Sequence, residues 1–177
     1  MSEKLERNKQ TVMAFYDLLF NQCKPREAIV KYAGDVYIQH NPLVADGKEP
    51  FIEYFEQMAA AWPGKRVHFK RAIAEGNYVA LHCRQEWPGD KDWAGIDIFR
   101  LDDAGRIVEH WDVLQIVPDQ SAHDNSMFEA RPRSATAVPG RFRAPGGIGG
   151  HFGAPDVVNR RAAGSLSRRG ARGDRGR

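Results

Sequence analysis

The hydrophobic period of this chain changes once, at Trp62-Pro63-Gly64. Before that point apolar residues recur at helical spacing. Val12, Phe15, Tyr16 and Leu19 share one helix face, which Ser2 can cap and Asn21 can end. Pro25 suits the first turn of a short helix over 25–32. A short strand is expected at 36–39, then a third helix over 48–61 with Phe51, Tyr54, Phe55, Met58 and Trp62 as its core stripe. After Gly64 the period is 2. Val67, Phe69, Arg71 and Ile73 alternate with polar neighbours, and Val79, Leu81 and Cys83 do the same. Strands at 93–101 and 106–117 follow, joined by Asp102-Asp103-Ala104-Gly105. Helices followed by an antiparallel meander make an α+β chain. The sheet must bury one face under those helices, and a long bent sheet so covered is a natural cup for a small molecule.

This pattern stops at Phe128. Residues 129–177 hold 10 of the 17 glycines and 11 arginines against three acids, and are expected to form a disordered tail. That tail carries a net charge of +8 while residues 1–128 carry −5, so the overall +3 averages two unlike segments. It gives no ground for a nucleic-acid partner. No apolar run approaches the roughly 20 residues of a membrane span. The first ten residues show no leader pattern, and Cys23 and Cys83 read as free thiols, so a cytoplasmic setting is expected.

The informative residues are polar ones inside apolar strands. Asp97 shares a strand face with Trp93, Phe99 and Leu101. A carboxylate there must be hydrogen-bonded or protonated, a setting suited to proton transfer. Alternatively it faces solvent or a dimer interface and pairs with Arg84 or Arg100. His82 lies in the neighbouring strand and joins Asp97 if the register brings them together. His40 stands where the chain leaves the first strand, at a pocket rim or in a simple turn. In Glu109–Gln115, His110, Asp112 and Leu114 share one face, and Glu109, Trp111, Val113 and Gln115 the other. His110 and Asp112 could ligate a metal with His40 or His82. Neither an HExxH motif nor a paired-histidine spacing occurs, so no metal and no cofactor is expected.

Three runs together resemble a known family: Ile38-Gln39-His40-Asn41-Pro42, Gly95–Leu101 and Gly105–Gln115. They resemble the SnoaL-like polyketide cyclases of the nuclear transport factor 2-like fold group, in the branch described as aldol-condensation enzymes. The resemblance covers about residues 5–128, including Asp124–Phe128. It implies a cone-shaped curved sheet, antiparallel or mixed, wrapped by three N-terminal helices and paired as a homodimer through the sheet. It also implies ring closure by intramolecular aldol condensation, with Asp97 as acid/base and His40, His82 and His110 as pocket histidines. Asn41, Trp93, Phe99, Trp111, Asp112 and Gln115 are the expected substrate-binding residues, for a small carbonyl compound. The same cone hosts other chemistry, so a non-catalytic binding domain, or a hydrolase, dehydratase or isomerase, stays open. The residues themselves also suggest a dimer, since Phe69, Ile73, Val79, Leu81 and Ile98 leave a second apolar face on the sheet.

Overall fold

The computed structural model describes residues 2–130. Helix α1 spans Ser2–Tyr16 and continues into a π-helical turn, Asp17–Asn21. Its inward stripe is Asn8, Val12, Phe15 and Tyr16, extended by Leu18, Leu19 and Phe20. Helix α2 (Pro25–Tyr32) opens on its proline, whose fixed φ and missing N–H suit a first helical turn. Strand β1 (Ala33–Gln39) precedes helix α3 (Lys48–Ala61), which buries Phe51, Ile52 and Phe55. Gly47, at φ 94°, supplies the backbone turn into α3 that an L side chain would resist.

The remaining strands are β2 (Arg66–Glu75), β3 (Tyr78–Glu86), β4 (Trp93–Leu101) and β5 (Ile107–Ile116). One sheet contains all five in the order β1-β5-β4-β3-β2. The first pair is parallel and the other three are antiparallel. The architecture is therefore α+β, three helices over a curved mixed sheet. Val79, Leu81, Cys83 and Gln85 of β3 and Gly95, Asp97, Phe99 and Leu101 of β4 make up the buried face. Phe15 joins helices to sheet, its ring 6.1 Å from those of both Phe51 and Phe99. Burying each such ring stabilises the fold by about 1.5–3 kcal/mol.

Two bulges reset which residues point inward. In β2 the register shifts between Phe69 and Arg71, so alternation flips there. Arg71 and Ile73, expected on the face of Val67 and Phe69, point away from the core, and Ile73 is 66% exposed. In β5 the shift lets Ile107 and Val108 both be buried before His110 turns inward. The expected second apolar face is corrected too. Val79 and Leu81 are fully buried and Phe69 packs against the core, while Ile73 and Ile98 do lie on the outer face, beside Ile38, Tyr78, Ile96 and Val113.

After β5 the chain returns along the outside of β2 and β3. Arg71 Nη1 donates to the Phe128 carbonyl at 2.9 Å, and Phe128 stacks on His82 at 5.8 Å. Glu129 pairs with Lys70 at 2.7 Å, so contact with the sheet reaches one residue past the expected boundary at 128. From residue 131 on, the expected tail lies outside the described residues. Among those described, no helix is long and apolar enough to cross a membrane.

Candidate active site

Asp97 sits in the middle of β4, across from Leu81 of β3 on one side and Asp112 of β5 on the other. It has no exposed surface. An ionised carboxylate in such a place needs donors, and the inward stripe of α1 supplies one. Tyr16, the last residue of that helix, donates its hydroxyl to Asp97 Oδ1 at 2.5 Å. His110 Nε2 stands 3.4 Å from the same oxygen.

The histidine is held from behind. Its Nδ1 lies 3.0 Å from Gln39 Oε1, which also accepts the Asn41 main-chain N–H at 2.9 Å. A main-chain N–H can only donate, so the Gln39 oxygen is fixed as an acceptor and Nδ1 carries the ring proton. Nε2 is thereby left to face Asp97, and a proton between Nε2 and Oδ1 satisfies both atoms. Asn41 fixes the second carboxylate in the same way. Its Oδ1 accepts the Leu43 N–H at 2.8 Å, so its Nδ2 is aimed at Asp112 Oδ2, 2.7 Å away.

Burial raises the Asp112 carboxyl above its usual range and Asp97 adds to that, while His110 and the Asn41 bond oppose it. Burial likewise raises the hydroxyls of Tyr16 and Tyr37, and the nearby carboxylates raise both further. The Cys83 thiol is pushed up by burial first and by Asp97 second. The two tyrosines and the cysteine therefore keep their protons at neutral pH, and Tyr16 donates its proton to Asp97. Two polar atoms of the site have no partner among the described residues: Asp97 Oδ2 and Tyr37 Oη. Each unpaired buried group costs about 1–3 kcal/mol.

Such a cluster can pass a proton between Asp97 Oδ2, His110 and a bound molecule. It could also hold a divalent cation, because one ligand atom from each of Asp97, His110 and Asp112 lies within 4.8 Å of the others. The metal-ligand set considered from sequence is corrected here, since Asp97 takes the place of His40 or His82.

Of the residues singled out from sequence, Asp97, His110, Asp112, Asn41 and Phe99 come together. Phe99 is a wall rather than a polar contact, its ring 4.6 Å from His110 and edge-on to Tyr16 at 5.4 Å. Five others lie elsewhere. His82 is opposite Ile96 on the outer face, with Nδ1 2.8 Å from Arg71 Nη1. Partial burial first, then Arg71 and Lys70, lowers its affinity for a proton. His40 is on the surface, bonded to Glu109 at 2.9 Å and stacked on Trp111 at 4.6 Å. Trp111 itself is outward, opposite the exposed Ile98. Gln115 is exposed opposite Ala94. Trp93 is half-buried at the start of β4, opposite Gln85 and Ile116. Strand alternation explains all three outward strand residues, because each is one step out of phase with an inward neighbour.

Tyr16, Tyr37 and Gln39 join the site beyond the residues expected from sequence. Tyr16 belongs to the core stripe of α1, and a tyrosine in a buried stripe must find a partner for its hydroxyl. Tyr37 and Gln39 follow from alternation along β1, once its inner face is known.

A 240 Å³ surface cleft lies by α2, β1 and α3, lined by Arg26, Ile52, Arg106 and others, and it shares no residue with the Asp97 cluster.

The SnoaL-like domain family matches residues 12–110, and the chain belongs to that family. No curated protein sequence matches it. Solved structures show the same fold. AclR from Streptomyces galilaeus, described as a candidate hydroxylase, has a TM-score of 0.53 at 19% identity, covering 63% of this chain and 90% of its own. IdmH from Streptomyces antibioticus, described as a candidate polyketide cyclase, has 0.51 at 18%, covering 60% and 91%. A candidate isomerase of the SnoaL-like family from Agrobacterium tumefaciens has 0.52 at 20%, covering 65% and 99%.

Proposed function

We propose that this chain is an enzyme that moves a proton at a carbon next to a carbonyl, and that it closes a ring by cofactor-free intramolecular aldol condensation of a small polyketide-like substrate. The observation that carries this reading is the unpartnered Oδ2 of Asp97. The carboxylate is fully buried, its other oxygen is held by Tyr16 and faces His110, and Oδ2 is left over for a ligand. In the proposed step Oδ2 takes the proton from the α-carbon, and the C–H electron pair passes into an enolate. The enolate carbon attacks a second carbonyl of the same molecule and forms the C–C bond. The oxygen of that carbonyl then takes up the proton, which Asp97 returns with His110 holding the charge in between.

Family membership supports the class of chemistry. The same proton transfer without C–C closure is an isomerisation, a second reading favoured by the description of the Agrobacterium tumefaciens relative. Both readings share one test, deuterium wash-in to ethyl acetoacetate followed by NMR. Wild-type protein should accelerate exchange in the presence of a chelator. Asp97→Asn, which keeps the shape and the Tyr16 bond, should lower the enzyme's contribution by about 100-fold or more. Undiminished exchange by that variant removes Asp97 from the mechanism, and loss of exchange on chelation refutes the cofactor-free reading.

A further inference from the structure

We infer that Cys23 is a site of reversible oxidation, and that the buried Lys65 promotes its reaction with a hydroperoxide. The pair shares no residue with the Asp97 cluster, and the inference does not depend on the chemistry proposed there.

The chain must turn sharply between the π-helical turn and α2, because Pro25 already sits in the first turn of that helix. Cys23 makes this turn at φ 55°, and among the described residues it alone, glycines aside, has a positive φ. An L side chain resists that left-handed conformation. The Lys24 N–H closes the turn on the Leu18 carbonyl at 3.0 Å. The thiol is thereby fixed half-buried at the end of the helix, donating toward the Phe20 carbonyl at 3.6 Å.

Lys65 approaches from the bend that precedes β2, where its main-chain N–H bonds the Trp62 carbonyl at 3.2 Å. It has no exposed surface, and no other lysine or arginine among the described residues is buried. Lysine is almost never fully buried unless paired, because a desolvated ammonium needs acceptors or an anion. Among the described residues the one acceptor that its Nζ finds is Cys23 Sγ, at 3.1 Å, and no carboxylate pairs with it. The face of Phe20, 5.4 Å away, adds a cation–π contact. An ammonium carries three N–H groups, so this one keeps unspent, buried donors beside the sulfur. The other free thiol, Cys83, is fully buried in the sheet, where burial and Asp97 hold its proton in place.

Unspent donors beside a sulfur suit a reaction that brings oxygen to it. The thiolate is the nucleophilic form of cysteine. Its sulfur attacks one oxygen of a hydroperoxide, so an S–O bond forms and the O–O bond breaks. The sulfur is oxidised and the peroxide is reduced. The departing hydroxide or alkoxide takes a proton from Lys65 and leaves as water or an alcohol. Donors aimed at the oxygen on which charge develops favour this step more than the resting state. The neutral amine left behind can accept the O–H of the new sulfenic acid. A small thiol then condenses with that acid, releasing water and leaving a mixed disulfide, and a second thiol restores Cys23.

The test treats the full chain at pH 7 with hydrogen peroxide, traps sulfenic acid with dimedone and locates the adduct by peptide mass spectrometry. Cys23 should be labelled and Cys83 should not. Dithiothreitol should return the original mass when dimedone is left out. Lys65→Met, similar in length and apolar, should slow Cys23 oxidation about tenfold or more while thermal melting stays cooperative. Alkylation of Cys23 by iodoacetamide, which expels iodide rather than hydroxide, should slow much less in that variant. Equal slowing of both reactions would mean that Lys65 only shapes access to the sulfur, and equal oxidation of variant and wild type would remove it altogether. Either result overturns the inference. Should Lys65→Met fail to fold, wild type decides alone: Cys23 should be oxidised about tenfold or more faster than glutathione at the same pH, and a rate no faster than glutathione overturns the inference.

Discussion

Replacing Asp112 by Asn should stabilise the protein at neutral pH, and only there. Asp97 and Asp112 are cross-strand partners in β4 and β5. When both are ionised they repel, and with an oxygen of one within 4.8 Å of an oxygen of the other and an effective dielectric constant near 20, the repulsion is at least about 3.5 kcal/mol. The Asn41 bond opposes it, and an amide at position 112 would still accept that bond, though more weakly by about 1 kcal/mol. His110 screens part of the rest, which leaves a net gain of about 1–2 kcal/mol, or a rise of roughly 3–8 °C in Tm. The pH dependence has a definite sign. Burial raises the folded-state value of Asp112, so the folded chain holds this proton more tightly than the unfolded one. Stability from the group is full below the ordinary carboxylate range and is lost as pH rises through the raised value. The variant escapes that loss. Urea unfolding of both proteins at a series of pH values between about 3.5 and 7 measures the difference directly. The gap should grow with pH and close at the acid end, where the carboxyl is protonated in both states. A constant gap, or a variant less stable at pH 7, would refute the electrostatic argument.

Two further outcomes follow from the same geometry. Tyr16→Phe removes the 2.5 Å bond to Asp97 while keeping the ring against Phe99, so it should cost about 1–3 kcal/mol in urea unfolding and lower exchange on ethyl acetoacetate. No change in either would mean the hydroxyl is not holding the carboxylate. The exposed apolar face of Ile38, Ile96, Ile98 and Val113 is expected to pair two copies of the chain. Sedimentation equilibrium should then return a dimer at micromolar concentration and a monomer for Val113→Lys. A monomeric wild type would count against a sheet-to-sheet dimer.

Much of this fold was legible because it rests on local signals. The period change at Pro63-Gly64, the proline opening α2 and the glycine closing the β4–β5 hairpin each act within a few residues. Asp97 was legible for the same reason, as a carboxylate in the phase of Phe99 and Leu101. What failed depends on pairing. His82 was a candidate only while the β3–β4 register was unknown, and the observed register sets Leu81 rather than His82 beside Asp97. His40 looked like a rim residue, yet its ring lies flat on Trp111, outside the sheet. The β2 bulge reversed Arg71 and Ile73 because an added residue shifts phase without altering the apolar count. The Tyr16–Asp97 bond joins residues 81 apart in the chain, and no local pattern encodes such a meeting.

The partners of Asp97 also explain why so polar a centre survives in a core of this size. Tyr16, His110 and Gln39 form one connected chain of hydrogen bonds to it, and Asn41 ties Asp112 to the same rim. Connected networks of this kind repay the desolvation of their members, whereas isolated groups do not. The network leaves out Asp97 Oδ2, Tyr37 Oη and Trp87 Nε1, three buried atoms without a partner among the described residues. At about 1–3 kcal/mol each they consume a large part of the 5–15 kcal/mol typical of a folded domain. Apolar replacements of similar shape at Tyr37 and Trp87 would relieve that cost, since phenylalanine lacks only the hydroxyl. The cost is offset only when a ligand arrives with complementary oxygens. Tyr37→Phe should therefore melt higher than wild type without ligand. Equal or lower stability without ligand would mean that the Tyr37 hydroxyl is not an unspent donor.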